Sequence, residues 1–191
     1  MQLTPDVSIV LVRHGETEWS SSGRHTSFTD VPLTERGRDE ARAVAARLSG
    51  IVFSLVLTSP RQRAQTTCAL AGFEHRAEVT DDLAEWNYGD YEGRTSAEIR
   101  ADVPTWTIFG DGAPGGETAD AVAARADRVL ARAAHAGGVV AVFSHGHFLR
   151  VLGARWIGQP PAAGAWLGLD TATISCLGHE REQAVLRVWN S

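Results

Sequence analysis

The sequence predicts an α/β sandwich of three layers, built on a mostly parallel central sheet. Two observations predict it. Short apolar runs alternate with segments of helical period, and three of those runs end abruptly in polar residues. A length of 191 residues suits one domain with a buried core, so residues 1–191 are read as a single domain.

The run VSIVLV at 7–12 is continuous rather than alternating, as in a strand buried on both faces, and it stops at Arg13-His14-Gly15. Pro32-Leu33-Thr34 opens a helix with Thr34 as its N-cap. Ala41, Val44, Ala45 and Leu48 recur at helical spacing, and Gly50 ends the segment. SLVLT at 54–58 is the next strand, broken at Ser59-Pro60, with a helix over 61–71 and a short strand at 76–79. Residues 81–93 are polar and loop-like but carry Trp86, Tyr88 and Tyr91.

Residues 101–124 contain no basic residue. Trp106 and Phe109 within them either form a lid or cover the core, and GDGAPGGET leads to an N-cap at Thr118. Ala119–Ala136 is strongly helical, with Arg125, Arg128 and Arg132 spaced as a solvated face. GVVAVF at 138–143 is a third buried strand ending in Ser144-His145-Gly146-His147, followed by a helix over 148–157. Segments 171–177 and 184–189 read as a closing pair of strands.

Composition removes several classes of function. The net charge of −5 argues against nucleic acid as a partner. No run of about 18 apolar residues is present to cross a membrane. The start, MQLTPDVSIVLVRHGE, lacks a basic leader and a small-residue cleavage site, which makes the cytoplasm the expected location. Cys68 and Cys176 show no ligand spacing and read as small packing residues. All 18 basic residues are arginine, so Schiff-base and Walker-type lysine chemistry is impossible. Any anion must be held by Arg, His and backbone N–H groups.

In a parallel sheet, sites form beyond the carboxyl ends of the strands. Arg13-His14-Gly15, Ser59 to Arg63 and Ser144-His145-Gly146 all fall there. A lone histidine at a strand end is most often structural. Two of them, gathered with Arg13, Arg61 and Arg63 and no nearby carboxylate, would repel unless an anion joined them. Phosphate suits planar guanidinium groups, and the glycines after each histidine let backbone N–H groups approach it. His145-x-His147 resembles half of a metal site, but no companion ligand has the spacing, so neither metal nor cofactor is expected.

Arg13-His14-Gly15-Glu16-Thr17 resembles the signature of the histidine phosphatase superfamily, which includes cofactor-dependent phosphoglycerate mutases and many phosphatases. Four further blocks match in order: GRHTSFTDVPLTERG, SPRQRAQTT, LAEWNYGDYEG and FSHGHFLR. The similarity spans nearly the whole chain. It implies a phosphoglycerate mutase-like fold with His14 as the nucleophile, Arg13 and Arg63 clamping the phosphoryl oxygens, and His145 as the second pocket histidine. Glu85 matches the acid that protonates the leaving oxygen, and Gly146 matches a backbone contact. Arg24, Thr26 and Ser27 match a loop at the pocket mouth. Ser20 stands where many members have asparagine and retains a hydroxyl donor. Arg150 lies in a matching block and is a candidate brace for the site.

The resemblance is strongest to a branch of acid phosphatases and sedoheptulose-1,7-bisphosphatases. It implies a phosphomonoesterase for small sugar or acid phosphates. A phosphoglycerate mutase and a protein phosphohistidine phosphatase are the alternatives. Only 59 residues separate Glu85 from His145, without the basic insertion of the mutases, and Asp102, Asp111, Glu117 and Asp120 make the lid region acidic. Hydrolysis is therefore favoured. A homodimer is compatible with the family's habits.

Overall fold

The computed structural model describes residues 7–191, so the reading of the first six residues as leaderless lies outside the described residues. In chain order the elements are β1 (Val7–Arg13), α1 (Glu18–Ser21), α2 (Glu35–Leu48), β2 (Leu55–Thr58), α3 (Gln62–Leu70) and β3 (Ala77–Val79). Then come α4 (Ser96–Asp102), α5 (Ile108–Asp111), α6 (Ala119–Ala136), β4 (Val140–Ser144), α7 (Gly146–Trp156), β5 (Ile174–Glu180) and β6 (Gln183–Val188). Short 3₁₀ turns occupy Asp81–Leu83, Gly89–Tyr91 and Pro161–Trp166.

The six strands form one sheet in the order β3-β2-β4-β1-β5-β6. β1, β2, β3 and β4 are mutually parallel, while β5 runs antiparallel to both of its neighbours. Alternate residues of each strand serve opposite faces. Ile9, Leu11, Leu57 and Val142 pack with residues of α6 and α7 such as Val122, Val129 and Leu149. Val10, Val12, Val56 and Phe143 pack with Val44 and Leu48 of α2 and Cys68 of α3. The result is the three-layer sandwich that the alternation predicts.

Two of the boundaries that differ from the sequence reading have clear reasons in the fold. β5 begins at Ile174 because Ala172, at φ 53°, turns its N–H onto the carbonyls of Arg13 and His14 instead of joining the ladder. α7 begins at Gly146 because Glu85, distant in sequence, caps its first turn. The unpredicted helices α1, α4 and α5 are of four to seven residues, each opened by a threonine N-cap (Thr17, Thr95, Thr107). Both cysteines are buried and free, their thiols pushed up by burial to about 12 for Cys68 and about 11 for Cys176. They act in packing. Among the described residues no helix is long and apolar enough to cross a membrane.

Candidate active site

Ladder bonds carry three strand ends to one place. The His14 N–H donates to Ser144 O at 3.0 Å, and the Ser59 N–H donates to Phe143 O at 3.0 Å. The loops after β1, β2 and β4 are therefore locked side by side. The loop after β1 also sits tightly on α2. A Cβ added to Gly15 would lie 2.2 Å from the Gly37 carbonyl oxygen, so both positions must stay bare. The Gly15 N–H donates to Thr67 Oγ1 at 3.1 Å, and the Thr67 hydroxyl in turn donates to Arg63 O at 2.7 Å.

A cavity of about 260 Å³ opens over this rim. His14, Arg13, Glu85 and Gly146 line its floor; Ser20, Arg24 and Thr26 line one side. Arg63, His145 and Ser27 lie behind the wall instead. Thr17, Gly23, His25, Tyr88, Ser96, His147, Arg150 and Leu169 complete it. Ser96 and Leu169 carry no local signal in sequence, because only the fold brings their segments to the rim.

His14 is buried, with Nδ1 2.8 Å from the Gly15 carbonyl oxygen. A carbonyl only accepts, so Nδ1 carries the proton and Nε2 keeps its lone pair. Burial first, then the Arg63 and Arg13 charges, hold the ring well below the ordinary histidine range. His14 is thus a neutral imidazole with one available nitrogen. That state is what a nucleophile needs.

His145 is fully buried, and its ring centroid lies 5.1 Å from that of His14. Arg63 Nε donates to its Nδ1 at 3.2 Å, so its proton must sit on Nε2, which meets Ser59 Oγ at 2.6 Å. Arg63 itself is fully buried and does not clamp the cavity in this structure. Three of its four remaining N–H groups go to the carbonyls of Thr29 (3.1 Å), Thr26 (3.0 Å) and Ser27 (3.1 Å). In this structure Arg63 and His145 brace the wall behind His14, and of the two arginines Arg13 is the one that lines the cavity.

Arg13 donates one Nη1 hydrogen to the Leu169 carbonyl, while its buried Nε has no partner among the described residues. Burial lowers its pKa against the opposing pull of Glu85. Gly146 touches it: a Cβ there would lie 3.3 Å from Arg13 Cζ and 3.4 Å from Nε. Gly146→Ala should push the guanidinium aside and lower kcat/KM by roughly 10-fold, with little change in Tm. Steady-state kinetics beside thermal melts check this, and unchanged kinetics would show the contact to be slack.

Glu85 lines the floor as the cap of α7. Its carboxylate accepts from the N–H groups of Phe148 (2.8 Å), His147 (3.0 Å) and Trp86 (2.8 Å). This fixes its direction without any side-chain partner, and the helix dipole adds to the effect. Arg125 is not part of a solvated face. It pairs with Glu117 at 2.8 Å and donates to the carbonyls of Asp82 and Ala84, both at 2.9 Å, so it staples the segment carrying Glu85. Arg128 and Arg132 do lie outside, paired with Asp82 and Glu78.

Two mouth residues depart from expectation. The Ser20 hydroxyl donates to Thr17 O and accepts the Thr17 N–H inside the capping box of α1, so its single hydrogen is already committed. The Ser27 hydroxyl donates to Glu92 Oε2 at 2.6 Å, and its N–H meets the same carboxylate. Ser27 therefore anchors the loop and leaves the lining to Thr26 and Arg24. Glu92, which sequence reasoning passed over, orders this loop by also accepting the Thr29 N–H at 3.0 Å.

The region read as an acidic lid is a core cover. Trp106 and Phe109 are buried in the α6/α7 core. Asp102 pairs with Arg94, Glu117 holds Arg125, and Asp111 accepts the Thr107 N–H, so two of its four acids are ion-paired and none of them lines the cavity. Among the described residues no group of three or more His, Cys, Asp or Glu could hold a metal ion.

The far wall is built of rings. His25 lies 4.7 Å from Tyr88 and 5.8 Å from His147, and the Tyr88 hydroxyl is 2.6 Å from His147 Nδ1. Burial lowers His25 to about 4, against the opposing pull of Glu92, and burial with the Arg150 charge holds His147 well below the ordinary histidine range. A histidine depressed in the folded state stabilises fully above its unfolded pKa and loses that contribution as pH falls. For His25 the window runs from about 6.5 to about 4, worth about 3 kcal/mol. Urea midpoints should therefore fall steeply across this window in wild type and less steeply in His25→Gln. Equal slopes would contradict the buried, neutral state.

Comparison with known proteins agrees with this geometry. The model of the "Histidine phosphatase superfamily (branch 1)" matches residues 9–191. An acid phosphatase of Mycobacterium tuberculosis is 42% identical, covering 93% of this chain and 91% of its own. The sedoheptulose 1,7-bisphosphatase of Saccharomyces cerevisiae is 36% identical, covering 82% of this chain and 69% of its own. Among solved structures, a functionally characterised open reading frame product of M. tuberculosis superposes with a TM-score of 0.91 at 40% identity, over 95% of this chain and 96% of its own. A mycobacterial glucosyl-3-phosphoglycerate phosphatase bound to VO₃ gives a TM-score of 0.83 at 29% identity, over 96% and 98%. The chain belongs to branch 1 of the histidine phosphatase superfamily.

Proposed function

We propose that this phosphatase hydrolyses small phosphomonoesters in two in-line steps, with the phosphoryl group carried in between on Nε2 of His14. The observation that carries this reading is the Nδ1–H to Gly15 O bond of a buried, neutral His14 that lines the cavity. In the first step the Nε2 lone pair attacks phosphorus and the ester P–O bond breaks. Glu85, which lines the cavity with His14, passes a proton to the leaving oxygen. In the second step water attacks the phosphohistidine, the N–P bond breaks, and the proton released by water returns to Glu85. Phosphate leaves with His14 neutral again.

Charge spreads over the equatorial oxygens during each step, and donors already in place stabilise it without reorganising. Arg13 supplies a guanidinium with an unengaged Nε, and α7 supplies the N-terminal end of a helix at Gly146. His145 and Arg63 act from behind, holding the wall on which His14 sits. The cytoplasm as location and a homodimer as assembly are part of the same reading.

The test is turnover of p-nitrophenyl phosphate with EDTA present, beside interconversion of 3- and 2-phosphoglycerate. Phosphate release without interconversion is expected. Efficient interconversion would make the chain a mutase and overturn the hydrolytic reading.

A further inference from the structure

A second cavity, of about 220 Å³, lies between α3 and the strands β2 and β3 at the edge of the sheet. Thr58, Ala77 and Val79 form its floor. Thr58 pairs with Val79, and Val56 with Ala77, so alternation turns these side chains to the face that α3 covers. Gln65, Thr66, Cys68 and Ala69 of α3 form the wall, and Glu74 from the turn after α3 stands at the exposed rim. No residue of this cavity lines the one over the strand ends.

The Thr58 hydroxyl distinguishes this space from an ordinary packing gap. Thr58 is 2% exposed, and its Oγ1 has no hydrogen-bond partner among the described residues. Buried hydroxyls are nearly always paired, because an unpaired one keeps the full penalty of leaving water. The surrounding groups mostly accept. Gln65 donates Nε2 to Pro60 O at 2.8 Å and keeps its Oε1 as an acceptor. Glu74 forms no ion pair or hydrogen bond among the described residues. Burial pushes the Cys68 thiol up to about 12, so it adds no charge. No arginine or histidine lines the cavity, and its one full charge is therefore negative.

A carboxylate at the rim, an unpaired hydroxyl at the floor and apolar Ala69, Ala77 and Val79 between them are complementary to a short organic cation. We propose that the cavity between α3 and the β2–β3 edge binds a small primary-ammonium compound, its charged head at Glu74 and a second polar end at Thr58. The volume is below that of a site for drug-sized ligands and suits a chain of about four carbons. The occupant is an effector and not a substrate, because no histidine or ionised thiol is there to attack it. It lies against the back of the catalytic wall. Thr58 adjoins Ser59, whose Oγ is 2.6 Å from His145 Nε2, and α3 carries Arg63. The inference stands apart from the proposed hydrolysis at His14.

The experiment titrates isotope-labelled protein with three probes of equal chain length and different charge: 4-amino-1-butanol, 1,4-butanediol and 4-hydroxybutyrate. The amino alcohol should move the amide resonances of Thr58, Cys68, Ala69 and Ala77 saturably, with a Kd on the order of 1 mM. The diol should bind roughly 2- to 5-fold more weakly, as for loss of an exposed ion pair, and hydroxybutyrate more weakly still. Glu74→Gln should remove the difference between amino alcohol and diol. Thr58→Val should weaken the amino alcohol by roughly 2- to 10-fold, as for one hydrogen bond, without lowering Tm, since no partner within the protein is lost. Equal binding of the three probes, no saturable shifts, or shifts centred on His14 and Gly146 instead would each overturn the proposal. So would affinities unmoved in both variants, or a Tm several degrees lower in Thr58→Val.

Discussion

His14→Ala should abolish phosphate release, with kcat falling by roughly 10⁴-fold or more, while the protein remains folded. The size of the loss follows from the role. Removing a nucleophile removes both chemical steps at once, leaving only what placed charge and binding can do for direct attack by water. The fold should tolerate the change. His14 makes one side-chain hydrogen bond, to its neighbour Gly15, and its burial in a lowered, neutral state means no ion pair is broken. Deletion of a desolvated imidazole beside Arg13 and Arg63 also relieves unfavourable surroundings, so Tm should move by only a few degrees. Residual activity within 10-fold of wild type would mean that another group attacks phosphorus.

The second large effect is on architecture. Arg63→Met should lower stability by about 3 kcal/mol or more and kcat/KM by roughly 100-fold. Four of the guanidinium's hydrogens are used, on His145 and on the carbonyls of Thr26, Ser27 and Thr29. Methionine keeps much of the volume but leaves His145 Nδ1 and the Thr26 and Ser27 carbonyls without this donor, while Thr29 O retains the Val31 N–H. At this chain length, about 3 kcal/mol corresponds to roughly 6–12 °C in Tm. The same change frees His145 to adopt its other tautomer and releases the loop that carries Arg24 and Thr26. Thermal melts and kinetics check both halves. A normal Tm with lost activity would instead return Arg63 to the role of a direct oxygen clamp.

That contrast marks where sequence reasoning stops. The layer order was legible because continuous apolar runs and helical periods are local signals, and the strand ends then had to converge. His14, Arg13, Glu85 and Gly146 lie on the floor of one cavity as the motifs suggested. What was not legible is how donors are spent. Ser20 closes a capping box, Ser27 is tied to Glu92, and Arg125 staples the Glu85 segment, because each finds a nearer acceptor once the chain is folded. The acidic character of residues 101–124 misled for the same reason: Asp102, Asp111 and Glu117 are engaged by partners that only the fold supplies. Arg150 illustrates the converse, a residue that helical spacing alone would leave on an ordinary face and that packing turns toward the cavity.

The most direct test of the central claim is to look for the phosphorylated enzyme itself. Wild-type protein would be mixed with excess substrate for a few turnovers, denatured in alkali, and analysed by intact mass and peptide fragmentation. The account predicts one phosphoryl group on His14, stable in base, lost in acid and missing from His14→Ala. Continued phosphate release with no adduct on His14, or with the adduct on another residue, would contradict it.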